Sequence, residues 1–297
     1  MELSTFDAFK RIESVELVRL DDGQLRSLQR CLLTILDDIR TVCQEERVFW
    51  TLGGGSALGA IRHRGFIPWD DDLDVNMPRD EWTRFRAAFE RRFGAKYVVY
   101  EPGDPTDYPL AFPRIRLRGT SYVTREDLLM PTLEHGVFAD VFLLENAFDN
   151  RFLRTLHGVG SLTLGVLYSC RKIFFERRLL LDLGLNGTAF RLKRTIGCLL
   201  TFLPLGVWTR LWDKWNRLCR NSCSKWVTFP VGRKHFFGEL APRVELGEST
   251  ETEFEGRRVN VPKGSTAYMT RLYGPDYMTP PSSKSRERHA VFGQMKF

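Results

Sequence analysis

Leu25, Leu28, Leu32, Ile35, Leu36 and Ile39 recur three and four positions apart within residues 22–47, the spacing of one face of a helix. The period then changes. Val48-Phe49-Trp50-Thr51-Leu52 is an apolar run of strand length. It runs into Gly53-Gly54-Gly55-Ser56, a turn, and a short helix is expected from Ala57 to about His63. Residues 73–77 read as a second strand that Pro78 ends, residues 79–93 as a helix, and residues 97–100 and 115–117 as strands. Residues 137–144 are apolar on both faces except for Asp140, the pattern of a strand buried on both sides. From Arg151 to about Cys223 the chain turns helical and arginine-rich, interrupted by glycines and Pro204. Strands are expected near 226–231 and 254–261, a helix near 265–273, and an exposed stretch at PPSSKSRERH.

This alternation argues an α/β or α+β fold; of the two, α+β is expected, a mixed sheet flanked by helices with an added helical region. Three blocks are expected: a core over 22–148, a basic helical insert over 149–224, and a segment over 225–297 that completes the core. The 297 residues suffice for one large domain or two modest ones. The net charge of +7 suits an anionic ligand, a nucleic acid or an anionic membrane surface. The six cysteines, at 31, 43, 170, 198, 219 and 223, form no CxxC or Cys/His cluster, as expected for reduced thiols in the cytoplasm. MELSTFDAFKRIESVELV is mixed and charged and does not read as a signal peptide. The most apolar segments, 162–167 and 196–208, are too short to span a bilayer.

Against this background one stretch stands out. Asp70, Asp71, Asp72 and Asp74 fall within five positions, shortly after the glycine run. Carboxylates that close repel one another and resist desolvation, so a bound cation is the first candidate to offset the cost. On a strand Asp72 and Asp74 share a face, with Leu73 turned to the core. Asp140 is a natural third acid, and three carboxylates on neighbouring strands suit Mg²⁺ or Mn²⁺. Such ions stabilise phosphoryl transfer. Gly54, Gly55 and Ser56 complement them, because glycines admit close approach and amides at a helix start bind phosphate. A strand, a GG(S/T) turn, a helix and a strand carrying DxD is the order found in nucleotidyltransferase-type folds.

The stretch GGGSALGAIRHRGFIPWDDDLDVNMPRDEW resembles the signature of the LicD family, HGVFADVFLLEN resembles that family's second block, and YGPDYMTPP its C-terminal block. Fukutin and fukutin-related protein carry a related core. The resemblance implies a nucleotidyltransferase-like fold and a metal-dependent transfer of a phosphate-linked group onto a glycan hydroxyl. The group is phosphocholine from CDP-choline or a polyol phosphate from a donor such as CDP-ribitol, and CMP is released. By position Asp72 and Asp74 match the metal pair, Asp140 the acid of the second block, and Gly54, Gly55 and Ser56 the phosphate-side turn. Arg62 and His63 match the family's RH. One departure is Leu143-Leu144-Glu145 where PLD is usual, which bears on the donor rather than the chemistry.

On that reading Asp72, Asp74 and Asp140 hold the ion, and Asp140 is the general base, with Asp70 or Asp71 as rivals. Arg62, Arg114 or Arg116 binds the donor phosphates, or forms structural salt bridges instead. His63 reads as structural, and Trp69 as a stacking or packing residue. Two other functions use the same features: a nucleotidyltransferase that consumes an NTP, and a non-catalytic nucleic-acid-binding protein. No nucleic-acid motif supports the latter. The acceptor is expected to be a glycan or lipid-linked glycan. Trp208, Leu211, Trp212, Trp215, Leu218 and Cys219, interleaved with Arg210, Lys214, Arg217 and Arg220, read either as an interfacial membrane helix or as a helix packed on the core. The first option places a cytoplasmic protein at the inner face of the membrane.

Overall fold

The computed structural model describes residues 20–106, 108–124, 126–127, 130–182, 187–282 and 291–297. The N-terminal stretch and most of PPSSKSRERH lie outside them; Pro280, Pro281 and Ser282 are exposed. Helix α1 (Asp22–Glu46) starts at a reciprocal cap: Gln24 N–H donates to Asp21 Oδ1 at 2.8 Å, and Asp21 N–H donates to Gln24 Oε1 at 3.0 Å. Its apolar stripe, extended by Val42 and Cys43, is buried. Arg47, in the left-handed region at φ 54°, ends it.

Among the described residues seven strands form the main sheet: β1 (Thr51–Leu52), β2 (Asp74–Pro78), β3 (Tyr97–Tyr100), β4 (Arg114–Leu117), β6 (Phe138–Ala147), β7 (Trp226–Thr228) and β8 (Ala241–Pro242). The order runs β1-β2-β6-β4-β3, and β7 joins β6 to β8. Only the β2–β6 pair is parallel; the others are antiparallel. β6 pairs with β2 along residues 140–144, with β4 along 138–140 and with β7 along 145–147. Three partners explain its near-continuous apolar sequence. β5 (Ser121–Thr124) pairs with β11 (Val291–Lys296).

The α+β architecture expected from the sequence is the one observed: a mixed sheet flanked by α1, α2 (Gly54–His63) and α3 (Arg79–Phe93), with a further helical region. That region comprises α4 (Arg151–Phe175), α5 (Arg177–Asp182), α6 (Thr188–Leu199) and α7 (Leu205–Asn216). Three local expectations differ. The strand over 48–52 pairs only at Thr51 and Leu52; its antiparallel register runs the preceding residues out to Pro78, where β2 ends. The single strand near 254–261 is a hairpin, β9 (Ser249–Phe254) and β10 (Arg257–Pro262). Its two-residue turn puts Glu255 at φ 49° and Gly256 at φ 73°, the conformation that matches strand twist. Finally, Trp208 and Trp212 do not form a free interfacial face. They are buried against Tyr168 and Leu205, and the Trp215 indole donates to His157 O at 2.8 Å. For these tryptophans the packed reading holds.

One ion cluster ties the helical region to the sheet. Arg79, at the start of α3, pairs with Glu145 on β6 and, at 2.6 Å, with Asp213 on α7. Both acids are buried. Removing one member of such a cluster strands buried charge. Arg79→Ala is expected to lower unfolding stability by about 3–5 kcal/mol, measured by urea denaturation. A loss within experimental error would show that the cluster holds nothing together.

Candidate functional site

β2 and β6 run parallel in the register Asp74↔Asp140, and β6 and β4 run antiparallel in the register Arg114↔Asp140. Asp74, Asp140 and Arg114 therefore form one row across three strands, and register partners share a face. Asp72 lies two positions before Asp74. Burial alternates as the sequence predicts: Leu73 and Val75 are buried, and Asp72 and Asp74 are partly exposed.

The Arg114 guanidinium clamps Asp140 with two hydrogen bonds, Nε to Oδ1 at 2.6 Å and Nη2 to Oδ2 at 2.8 Å. Nη2 also donates to Glu126 at 3.0 Å, and the guanidinium lies 3.6 Å from the centre of the Phe138 ring. Burial raises the Asp140 carboxyl, and Arg114 opposes that rise. Arg114 itself, although desolvation works against its charge, is held well above its ordinary value by Asp140. Arg116 is equally buried and donates to Gly136 O at 3.0 Å and to Asp127. Both arginines, read from sequence as phosphate-binding candidates, are thus engaged with internal partners.

The glycine run packs directly on the acids. Gly53 N–H donates to Asp74 O, and Asp74 N–H donates to Ser56 Oγ, both at 2.9 Å. Gly54, Gly55 and Ser56 form the first turn of α2, one turn earlier than expected. Gly54 sits at φ +42°, and a Cβ there would lie 2.6 Å from Asp74 Oδ2. A Cβ at Gly53 would meet Asn76 Oδ1 at 2.5 Å, and one at Gly55 would meet Asp70 Oδ2 at 3.1 Å. Each glycine therefore faces a polar side chain of residues 70–76, and the run is what lets that turn close on them.

Residues far along the chain complete the surroundings. Gly54 N–H donates to Tyr268 Oη at 3.3 Å, and the same hydroxyl is hydrogen-bonded to the Asn76 side chain. Burial, followed by Tyr268 and the nearby charges of Asp74 and Asp70, raises the Tyr273 phenol well above the usual range. Arg233 lies 5.8 Å from the Tyr273 ring centre. Arg62, near Asp70 and Tyr273, donates to His63 Nε2 at 2.9 Å and to Tyr277 O at 2.7 Å. Burial and Arg62 lower the His63 imidazole. Trp69 is buried within the core. Asp71 is buried and accepts from Tyr122 Oη at 3.0 Å.

Sequence reasoning assigned no role to Tyr268, Tyr273 or Arg233. The block beginning YGPDY was the only signal, and it marked Tyr273 without saying what it touches. The departure at Glu145 falls five positions after Asp140 on the same strand, hence on the opposite face, where it serves Arg79.

Among the described residues no three His, Cys, Asp or Glu side chains gather into a ready metal cluster. The donor set nevertheless suits a hard cation. Mg²⁺ is usually bound by one or two carboxylates together with substrate phosphates; Asp74, packed against the glycine turn, and Asp72, two positions before it, are the carboxylates that would hold it.

Residues 47–103 match the family described as LicD/FKTN/FKRP, nucleotidyltransferase domain. The chain is 54% identical over 280 residues to the lipopolysaccharide cholinephosphotransferase LicD of Haemophilus influenzae, covering 90% of this chain and 96% of that protein. Two uncharacterized proteins match over shorter stretches. One from Rickettsia typhi is 28% identical over 75 residues, 23% of this chain and 24% of its own. One from Rickettsia prowazekii is 26% identical over 93 residues, 27% of this chain and 34% of its own.

Two outcomes follow from the packing around the turn. Gly54→Ala is expected to displace Asp74, lowering stability by about 1–2 kcal/mol and turnover at least about tenfold, read from a melting curve and an activity assay. Behind Tyr268, the buried Glu239 accepts from Lys234 N–H at 2.9 Å, and desolvation pushes its carboxyl up to about 7. A raised carboxyl stabilises the fold below its unfolded value of 4.5, and that contribution is lost as pH rises from there through about 7. Glu239→Gln should therefore match the wild type near pH 4 and exceed it by on the order of 3 kcal/mol at pH 8. Unfolding curves across that range check it, and a difference that does not change with pH would refute it.

Proposed function

The chain belongs to the LicD family, and from that premise we propose that it transfers phosphocholine from a CDP-linked donor to a hydroxyl of a cell-surface glycan, releasing CMP. The observation that carries the reading is the seating of the Gly53-Gly54-Gly55-Ser56 turn on the acidic segment, with Asp74 and Asp140 in register beneath it. The Haemophilus influenzae relative, a cholinephosphotransferase matched over nearly its whole length, supports phosphocholine as the transferred group.

Family membership brings metal-assisted catalysis. In this reading Asp72 and Asp74 hold a divalent cation, Mg²⁺ or Mn²⁺, with Asp140 beside them. When bound, that cation neutralises charge on the donor diphosphate. The first turn of α2 presents the backbone amides of Gly55 and Ser56 toward the phosphates. Arg62, near Asp70 and Tyr273, supplies positive charge on the same side. Arg114 and Arg116 act by position: Arg114 fixes Asp140, and Arg116 anchors Asp127. The acceptor hydroxyl attacks the phosphorus bearing choline, in line with the bond to CMP, and its proton passes to a carboxylate of the same cluster. Tyr268 keeps the glycine turn in place during this step. The acceptor is a glycan or lipid-linked glycan, reached from the cytoplasmic side.

The same carboxylates would serve an enzyme that consumes an NTP, so the test compares donors. Calorimetry with CDP-choline, CDP-ribitol, CDP-glycerol, CTP and ATP, with and without Mg²⁺, is expected to show metal-dependent binding of CDP-choline above the rest. Asp72→Asn and Asp74→Asn should each lower turnover by about 10²–10³-fold with the melting temperature unchanged. Preference for a bare triphosphate, or full activity in either variant, would overturn the reading.

A further inference from the structure

Apolar side chains are not left exposed evenly over this molecule. Of the sixteen large ones exposed among the described residues, twelve lie between Phe152 and Leu218, in the helical region. On α4 the exposed Phe152, Leu156, Val159 and Val166 recur at spacings of four, three and seven. They form one stripe, with the exposed Thr163 on the same line, about 21 Å long at helical rise. The next position on that line, Cys170, is buried because α6 crosses there: Gly197 packs on the Cys170 carbonyl and on Phe174. Since α6 lies on the stripe's own side of α4, its outward residues face the same way. Those residues are Leu192 and Leu199, 59% and 73% exposed. The 3₁₀ turn that follows adds Phe202, 70% exposed. An exposed apolar surface of this extent marks an interaction site.

Charge identifies what it meets. Between residues 150 and 224 the chain has thirteen Arg and Lys against three acids, so the remainder is slightly acidic. Two of those acids, Glu176 and Asp213, are buried. Arg151, Arg178 and Arg191 are exposed around the apolar residues. A second copy of the chain would bring the same positive charge to this face and be repelled. A nucleic acid would satisfy the arginines and leave the leucines and phenylalanines wet. A bilayer with acidic headgroups satisfies both.

We propose that the outer face of α4 and α6 docks in the plane of an anionic lipid bilayer, with the apolar stripe entering the acyl boundary and the flanking arginines meeting lipid phosphates. Among the described residues no single helix is long and apolar enough to cross a membrane, and α6 with its 3₁₀ turn meets the length and composition for a span only together with α7, across a 93° bend; the contact proposed is peripheral. It involves a different face from the tryptophan-rich side of α7, which is packed inward. It rests on the helices alone and is independent of the donor assigned to the carboxylates.

The test is flotation of the full chain with phosphatidylglycerol-containing vesicles and with phosphatidylcholine vesicles, at low and high salt, alongside sedimentation. The wild type is expected to float with the anionic vesicles at low salt and less so at high salt. The double variant Leu156→Asp/Val159→Asp, at exposed sites that leave the core intact, should lose at least about tenfold in vesicle affinity while retaining its melting temperature. Val244→Asp, exposed elsewhere, should bind as the wild type does. A wild type that ignores anionic vesicles at low salt would overturn the proposal. So would a double variant that floats undiminished, or a wild-type dimer that this variant splits.

Discussion

The row Asp74, Asp140 and Arg114 across β2, β6 and β4 is the constraint that the rest of the site answers to. Parallel pairing places the backbones carrying two carboxylates one strand spacing apart, about 4.8 Å. Like charges on neighbouring strands repel one another. The third strand supplies the opposing charge at the same level, and it does so with a guanidinium able to meet both oxygens of Asp140. A buried arginine needs its own company, which Glu126 and the face of Phe138 provide. Arg114 is committed to Asp140 in this way, and Asp74 is the member of the row that packs against the glycine turn. The site is thus asymmetric: one acid is held by protein charge, and its neighbour sits beside the first turn of a helix.

How much of this the sequence revealed depends on the range over which each interaction acts. The stripe of α1, the alternation around Leu73 and the isolation of Asp140 in an apolar strand are local periodicities, and each was readable. The partnership of Arg114 with Asp140 was not, because it depends on register between strands and not on spacing within one. Tyr268 lies 214 positions from Gly54, and nothing near either residue announces the other. The hairpin at Glu255-Gly256 was readable in principle, since a glycine ending a two-residue turn is a short-range signal. The strand before it, Ser249 to Glu253, carries no apolar residue and so shows no alternation of its own.

The tryptophans show a different limit. Helical spacing identifies a face that must be covered, and it does not say by what. Trp208 and Trp212 have the pattern of an interfacial helix, yet Tyr168 and Leu205 cover them. The face left open belongs to α4, where the stripe of Phe152, Leu156 and Val159 is interrupted by glycines and polar residues and looks unremarkable in sequence. Amphipathicity alone could not separate the two cases. Burial did so, because only packing reveals which of several apolar faces the core has consumed.

The two halves of the molecule meet on one strand. β6 carries Asp140 on one face and, five residues on, Glu145 on the other. Glu145 receives Arg79, which also holds Asp213 of α7. The helical region is therefore fixed to the strand that bears a site acid, through buried charge and not through a linker. A flexible tether would let the carboxylates face any direction relative to the helices. A buried three-member ion cluster does not, since each ion must stay where the other two can compensate it. Once the outer face of α4 and α6 rests on a bilayer, the orientation of the glycine turn to that bilayer is set. Such an enzyme suits an acceptor that is itself anchored in lipid, because the acceptor's approach is then as restricted as the site's.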